Sequence, residues 1–146
     1  FTLLNHPIDC PICDKAGECT LQKHYFDWDS KYARNDGIKV HKAKKVDIGK
    51  HIVLDQERCI LCTRCVRVCD EIEGAHTWDV MGRGIEAKVI TDLNEPWGSS
   101  ETCTTCGKCV HVCPTGALFE KGRSVAEMMK RRQFLPYLTL MRKENE

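Results

Sequence analysis

Eight of the chain's eleven cysteines fall in two copies of one pattern, Cys59-x2-Cys62-x2-Cys65-x3-Cys69 and Cys103-x2-Cys106-x2-Cys109-x3-Cys113, the second followed by Pro114. No other feature limits the possible folds as tightly. Three cysteines at two-residue gaps let one tight loop wrap three corners of a [4Fe–4S] cubane, with backbone N–H groups turned towards the sulfurs. The fourth cysteine faces away from that loop and must ligate another cluster. The pattern therefore predicts crossed ligand sets: Cys59, Cys62, Cys65 and Cys113 for one cluster, and Cys103, Cys106, Cys109 and Cys69 for the other. Paired CxxC units also build four-cysteine zinc sites, but zinc has no use for the third and fourth cysteine of each run. Asp70, where the second run has proline, alters the turn after Cys69 without removing a ligand.

Disulfides are the alternative use of so many cysteines in a 146-residue chain. An odd number, metal-type spacing and the lack of a signal-like apolar stretch before them argue against it. Thiols kept for metal imply a reducing compartment, so the cytoplasm is expected. No run approaches the roughly 18 apolar residues of a membrane span, so the chain is expected to be soluble or only peripherally attached as part of a complex.

The remaining three cysteines form a third set, His6-x3-Cys10-x2-Cys13-x5-Cys19. By spacing alone a zinc site of three cysteines and one histidine is a serious rival. Cysteine accounting favours a third cubane: eight cysteines serve two clusters, three are left, and His6 is the nearest fourth donor. His24 competes for that place but falls on the polar side of a predicted helix, while His41, His51 and His111 have no cysteines left to join. A neutral imidazole replacing a thiolate removes negative charge from the cluster, so this centre should reduce more easily than its all-cysteine neighbours.

Hydrophobic residues make up 42% of the chain, enough for a modest core in one or two small domains. Residues 1–33 read as the histidine-ligated cluster segment. Leu21, Tyr25, Trp28 and Tyr32 recur at helical steps, predicting a helix from Thr20 to Tyr32 whose apolar stripe packs over the first cluster and the next domain. Residues 34–50, with Arg34, Lys39, Lys42, Lys44, Lys45 and Lys50 against Asp36 and Asp47, read as a basic linker with a solvated face. Residues 51–123 carry the two cysteine runs between predicted strands at His51–Asp55 and Ala117–Lys121, each run followed by a short helix. This is an α+β, bacterial 2[4Fe–4S] ferredoxin-like domain with pseudo-two-fold symmetry. It is interrupted by an insertion, Glu71 to Thr102, with a further strand at Ile85–Thr91 and a turn at Pro96-Trp97-Gly98. His76 and Trp78 in that insertion read as packing or interface residues. Residues 124–146 read as a helix, opened by a Ser124/Glu127 capping box and interrupted at Pro136, then a polar tail that looks like a natural end.

The formal charge of +1 counts every cysteine as neutral. Ligating thiols are deprotonated, so with three clusters bound the net charge falls to about −4. The lysines and arginines offset buried anions, which argues against nucleic acid as a partner. Gly82, Gly84 and Ala87 loosely echo a dinucleotide fingerprint but lack the strand, helix and acidic residue it needs, so a turn is the better reading. No nucleophile–base pairing stands out, and the chain is read as having no active site of its own.

With these motifs placed, the sequence resembles the iron–sulfur subunits of NAD-linked hydrogenases and of respiratory complex I, the latter of the 75-kDa type. HPIDCPICDKAGEC is similar to that family's histidine-ligated cluster motif. RCILCTRCVRVCDEIEGAHTWDVMGRG and NEPWGSSETCTTCGKCVHVCPTGALFEKG most resemble the small diaphorase subunit of bidirectional [NiFe] hydrogenases. The resemblance implies an electron wire between a flavin/NAD-binding diaphorase subunit and hydrogenase subunits in a hetero-oligomer. Such subunits usually open with a plant-type [2Fe–2S] domain. Because the chain starts at Phe1 directly before a ligand motif, it reads as a fragment or processed product, with room for a [2Fe–2S] cluster in a missing N-terminal domain. The alternative is a piece of a complex I, formate dehydrogenase or [FeFe] hydrogenase chain whose other domains are missing.

Overall fold

The computed structural model describes residues 2–13, 15–28, 37–39, 41–42, 46–49 and 51–122. The N-terminal part holds α1 (Thr2–Asn5), a single helical turn at Cys10–Ile12 and α2 (Thr20–Asp27). A three-stranded antiparallel sheet follows, with β2 (Ile52–Asp55) between β1 (Val46–Ile48) and β5 (Leu118–Glu120). Between β2 and β5 run α3 (Arg64–Arg67), which continues as a wider π-type turn over Val68–Glu73, the hairpin β3 (Trp78–Met81) and β4 (Lys88–Thr91), and α4 (Lys108–Val112). This is the small mixed helix–strand, ferredoxin-like architecture expected from the cysteine runs.

The outer strands do more than close the sheet. β2 leads into the first cysteine run and β5 leads out of the second, and their register pairs Leu54 with Leu118 and Ile52 with Glu120. Cys59, five residues beyond Leu54, and Cys113, five before Leu118, are thereby brought to the same end of the sheet. All four residues of β2 are buried, as suits a central strand covered on both faces.

The buried core is small and is built partly of the cysteines: Ile52, Leu54, Val89, Val110, Leu118, Trp78 and Trp97 pack with Cys65, Cys69 and Cys109. A core in which thiols stand where aliphatic side chains would otherwise be depends on what those thiols bind.

Several boundaries differ from expectation. β1 falls inside the stretch read as a basic linker, which is tied down further by Lys42 Nζ donating to the Ala87 carbonyl at 2.5 Å and by His41 Nδ1 lying 3.0 Å from Glu57 Oε1. Alternating Val46-Asp47-Ile48 is too short to stand out by periodicity and is held by pairing to β2. Of the strand expected at Ile85–Thr91 only Lys88–Thr91 is extended, because Gly84–Glu86 form a helical turn. The aromatic stripe is corrected as well. α2 stops at Asp27, and while Leu21 is half-buried, Tyr25 is 39% and Trp28 78% exposed. Among the described residues α2 is anchored at its first turn, where the Thr20 N–H donates to the Pro114 carbonyl at 3.1 Å, and Lys23 to Trp28 are exposed. Tyr32 and the expected helix from Ser124 lie outside the described residues. Among the described residues no helix is long and apolar enough to cross a membrane.

Candidate metal centres

The two cysteine loops share an unusual backbone. Leu61 (φ 54°), Thr63 (φ 59°), Thr105 (φ 56°) and Gly107 (φ 73°) all take the left-handed conformation. They form two pairs forty-four residues apart, the same offset that relates Cys59 to Cys103 and Cys69 to Cys113. Left-handed backbone at a leucine and two threonines costs of order 1 kcal/mol or more per residue and persists only where the surroundings impose it. Residues of this kind turn successive N–H groups towards one side, the geometry of an anion-binding nest. The Leu61 N–H lies 3.4 Å from Cys59 Sγ.

Two cavities sit against these loops. The first is lined by Cys59, Cys62, Cys65 and Cys113, together with Leu54, Ile60, Val89, Pro114, Ala117 and Leu118. The second is lined by Cys69, Cys103, Cys106 and Cys109, with Ile52, Val68, Ala75 and Trp78 among its walls. Each cavity thus takes three cysteines from one run and the fourth from the other. The donors are spread round the cavities rather than gathered on a point: among the described residues no three His, Cys, Asp or Glu side chains stand close enough to hold a single ion.

Burial makes these thiols poor acids without a metal. Desolvation pushes Cys65 up to about 12, with the neighbouring Cys59, Cys113 and Cys62 adding to it, and it raises Cys59 and Cys109 in the same direction. Ligation must therefore expel protons, so metal loading favours higher pH. The second cage carries a side-chain donor too. Trp97 Nε1 lies 3.4 Å from Cys103 Sγ, and the Trp78 indole lines the cage beside Cys109, whose pKa it lowers against the effect of burial. Lys108 pairs with Glu73, whose other oxygen accepts from Thr104 Oγ1 at 2.7 Å; Lys108 in turn faces Cys106 and Cys69.

The N-terminal set is fixed against this domain by a buried ion pair. Arg58, 8% exposed, donates from Nη2 to Asp9 Oδ2 at 2.7 Å; its Nε stands 3.5 Å from Asp55 Oδ2, a charge contact without hydrogen-bond geometry. Asp55 itself caps the turn at Gln56–Arg58 by accepting from the Glu57 N–H. Cys13 and Cys19 lie within electrostatic reach of each other, and Cys13 and His6 both face Asp9 and Arg58. A Cβ at Gly116 would stand 2.6 Å from Cys13 Sγ and 3.3 Å from Lys15 Cβ, so only glycine lets the loop after Cys113 approach the first set. His6 Nδ1 is buried with no hydrogen-bond partner, and burial lowers the His6 pKa against the opposing pull of Asp9. A neutral imidazole with an orphaned buried nitrogen is a donor set suited to a metal. His24, the rival, is exposed.

Four contributors were not singled out as site residues by sequence. Arg58 reads as one basic residue among many, and no local signal marks it as buried. Gly116 follows a Pro-Thr pair and reads as an ordinary turn. Trp78 and Trp97 were visible only as insertion residues. His76, read as packing or interface, is 70% exposed and pairs with Asp70 at 2.6 Å.

Two family models match the chain: the iron–sulfur binding region of NADH-ubiquinone oxidoreductase-G over residues 1–32, and the ferredoxin-like domain of NADH-quinone oxidoreductase subunit 3 over residues 49–119. The first spans the His6–Cys19 set and the second spans both cysteine runs. Among curated relatives, the second G-type subunit of the NADH-quinone oxidoreductase of Rhizobium meliloti is 42% identical over 80% of this chain and 13% of its own length. NADH-quinone oxidoreductase subunit 3 of Thermus thermophilus is 36% identical over 82% of this chain and 16% of its own. The NADP-reducing hydrogenase subunit HndD of Solidesulfovibrio fructosivorans is 37% identical over 81% of this chain and 20% of its own. The chain therefore spans between 13% and 20% of these three relatives. Among solved structures, a chain of an NAD+-reducing [NiFe]-hydrogenase in the H2-reduced state matches with a TM-score of 0.72 and 27% identity, over 84% of this chain and 52% of that one.

Proposed function

Because the chain belongs to the iron–sulfur domains of NADH-quinone oxidoreductase subunit 3 and its G-type counterparts, we propose that it holds three [4Fe–4S] clusters and relays single electrons between an NAD(H)/flavin module and a hydrogenase module. The observation that carries this reading is the pair of cavities, each lined by three cysteines of one run and the fourth of the other. Cys59, Cys62, Cys65 and Cys113 hold one cluster, and Cys103, Cys106, Cys109 and Cys69 hold the next. The shared forty-four-residue offset of the left-handed residues supports a pseudo-two-fold relation between them. His6, Cys10, Cys13 and Cys19 hold the third, a reading supported by the unpartnered buried His6 Nδ1.

Bound clusters supply one-electron redox centres, and what the protein adds is spacing, insulation and tuning. A nicotinamide gives up two electrons at once as a hydride, so a flavin that splits the pair must stand between it and this chain. Nicotinamide is named at one end of several relatives, including the hydrogenase of known structure and an NADPH-Fe(3+) oxidoreductase subunit alpha. A hydrogenase at the other end is supported by that structure and by the HndD relative. The chain's own residues offer no substrate site in this scheme, and the complex is read as cytoplasmic or peripheral to a membrane.

Metal and sulfide quantitation tests the reading directly: iron and acid-labile sulfide should each approach about twelve per chain, with EPR of the reduced protein showing [4Fe–4S] signals. Stoichiometric zinc and little sulfide would remove it. The histidine assignment has its own test. His6→Cys adds a thiolate to the first cluster and should lower that centre's midpoint potential, leaving the other two titration steps in place. An unmoved titration in a fully loaded variant would exclude His6 as a ligand.

A further inference from the structure

We propose that Trp97 selectively raises the reduction potential of the cluster in the Cys69, Cys103, Cys106 and Cys109 cage by donating its indole N–H to the Cys103 sulfur, with Trp78 packed against the ring to hold its orientation. The inference rests on the ligand sets proposed above and goes beyond them by giving the insertion between the two cysteine runs a redox role.

The two halves of the domain are related by a constant offset at every cysteine and at the left-handed residues between them. Trp78 and Trp97 break that relation. Trp78 opens β3, and Trp97 lies in the helical turn Trp97–Ser99 after β4, so both come from the insertion and both arrive at the same cage. Trp97 Nε1 lies 3.4 Å from Cys103 Sγ, and Trp78 lines the cage beside Cys109. Each side chain belongs to a residue only 4% exposed. Their rings meet edge to face, centroids 4.7 Å apart at 66°, so each holds the other's orientation. The other cage is lined instead by aliphatic residues, Pro114 and two threonines and has no indole; Cys59 Sγ meets the Leu61 N–H, and Cys113 Sγ lies 3.2 Å from the Thr115 carbonyl and 3.8 Å from its hydroxyl, which donates to the Arg58 carbonyl.

The physical consequence has a definite sign. Reduction adds negative charge that spreads onto the ligating sulfurs, so an N–H aimed at a sulfur favours the reduced state and raises the potential. In a water-poor site the bond is electrostatically stronger than the same bond in water. Such a donor makes its cluster easier to reduce than the same cluster without it. Charged neighbours are present at both cages, with Lys42 facing Cys59 and the Lys108–Glu73 pair facing Cys106, so the measurable claim concerns what removing the Trp97 N–H does.

The test is an EPR-monitored redox titration of the reconstituted full chain and its Trp97→Phe variant, with iron and sulfide measured on each. Phenylalanine keeps an aromatic ring at the contact and removes the N–H. The expected result is unchanged iron and sulfide, one titration step moved to more negative potential, and the others unmoved; the moved step should be the one lost in Cys106→Ala. A fully loaded variant with no moved step, or with a different step moved, overturns the inference while leaving the ligand sets intact. Should that variant fail to load, global replacement of the three tryptophans by a fluorinated analogue keeps the fold and makes the Trp97 N–H a stronger donor. That replacement should move the same step positive, and no movement or the opposite sign overturns the inference. An unsubstituted chain that takes up zinc in place of iron and sulfide refutes the underlying reading instead, a result distinct from any of these.

Discussion

Replacing Cys113 by alanine is expected to abolish the cluster bound by Cys59, Cys62 and Cys65 and to spare the one bound by Cys103, Cys106 and Cys109, although Cys113 belongs to the latter's run. Iron should fall from about twelve to about eight per chain, one cubane's worth. The reason is topological. Antiparallel pairing of β2 with β5 places Cys113 at the cavity of the first run, and the π-type turn after α3 carries Cys69 into the cavity of the second. EPR of the reduced variants settles the matter: Cys113→Ala should lose the same signal as Cys59→Ala, and Cys69→Ala the same as Cys103→Ala. If Cys113→Ala instead matches Cys103→Ala, each run holds its own cluster and the crossed assignment is wrong.

Arg58→Leu should release the first cluster and destabilise the folded chain by about 3–5 kcal/mol, the usual consequence of removing one partner from a buried ion pair. Asp55, 2% exposed, would be left with its charge uncompensated, and Asp9 would lose the contact that fastens the His6–Cys19 segment to the domain. Part of the loss follows from packing, because the Arg58 side chain also reaches the loop at Gly116. Denaturant unfolding of the reduced, loaded protein gives the stability change, and iron content with EPR gives the cluster count. Retention of all three clusters with a midpoint close to that of the unsubstituted chain would show that the N-terminal segment is held elsewhere.

The cages were legible in the sequence because cysteine spacing is a local property with few physical interpretations. Three cysteines at two-residue gaps dictate a loop, and the leftover fourth dictates an exchange of ligands between loops, without any knowledge of the sheet. The strands flanking the runs were legible for a similar reason, since IVLD and LFE are short β-branched or aromatic runs beside turn-forming residues. What escaped was set by distant partners. Val46-Asp47-Ile48 becomes a strand by pairing with β2, and nothing within the triplet demands it. The Tyr25 and Trp28 stripe has the spacing of a buried face, yet periodicity records only which residues share a side of a helix. Whether that side is covered depends on neighbours, and here only the first turn of α2 has an anchor in the described residues. Arg58 and Gly116 matter through contacts across about fifty residues or more of chain, which no window of sequence displays.

The antiparallel match of Leu54 with Leu118 also has a bearing on how the protein is made. With ligands exchanged between the runs as proposed, neither cage is complete while only the first run has left the ribosome, and the cage of that run closes last, when Cys113 and the strand after it emerge. A nascent chain cut short before this point leaves Cys59, Cys62 and Cys65 without their fourth ligand, so loading of that cage reports that translation has passed the second run.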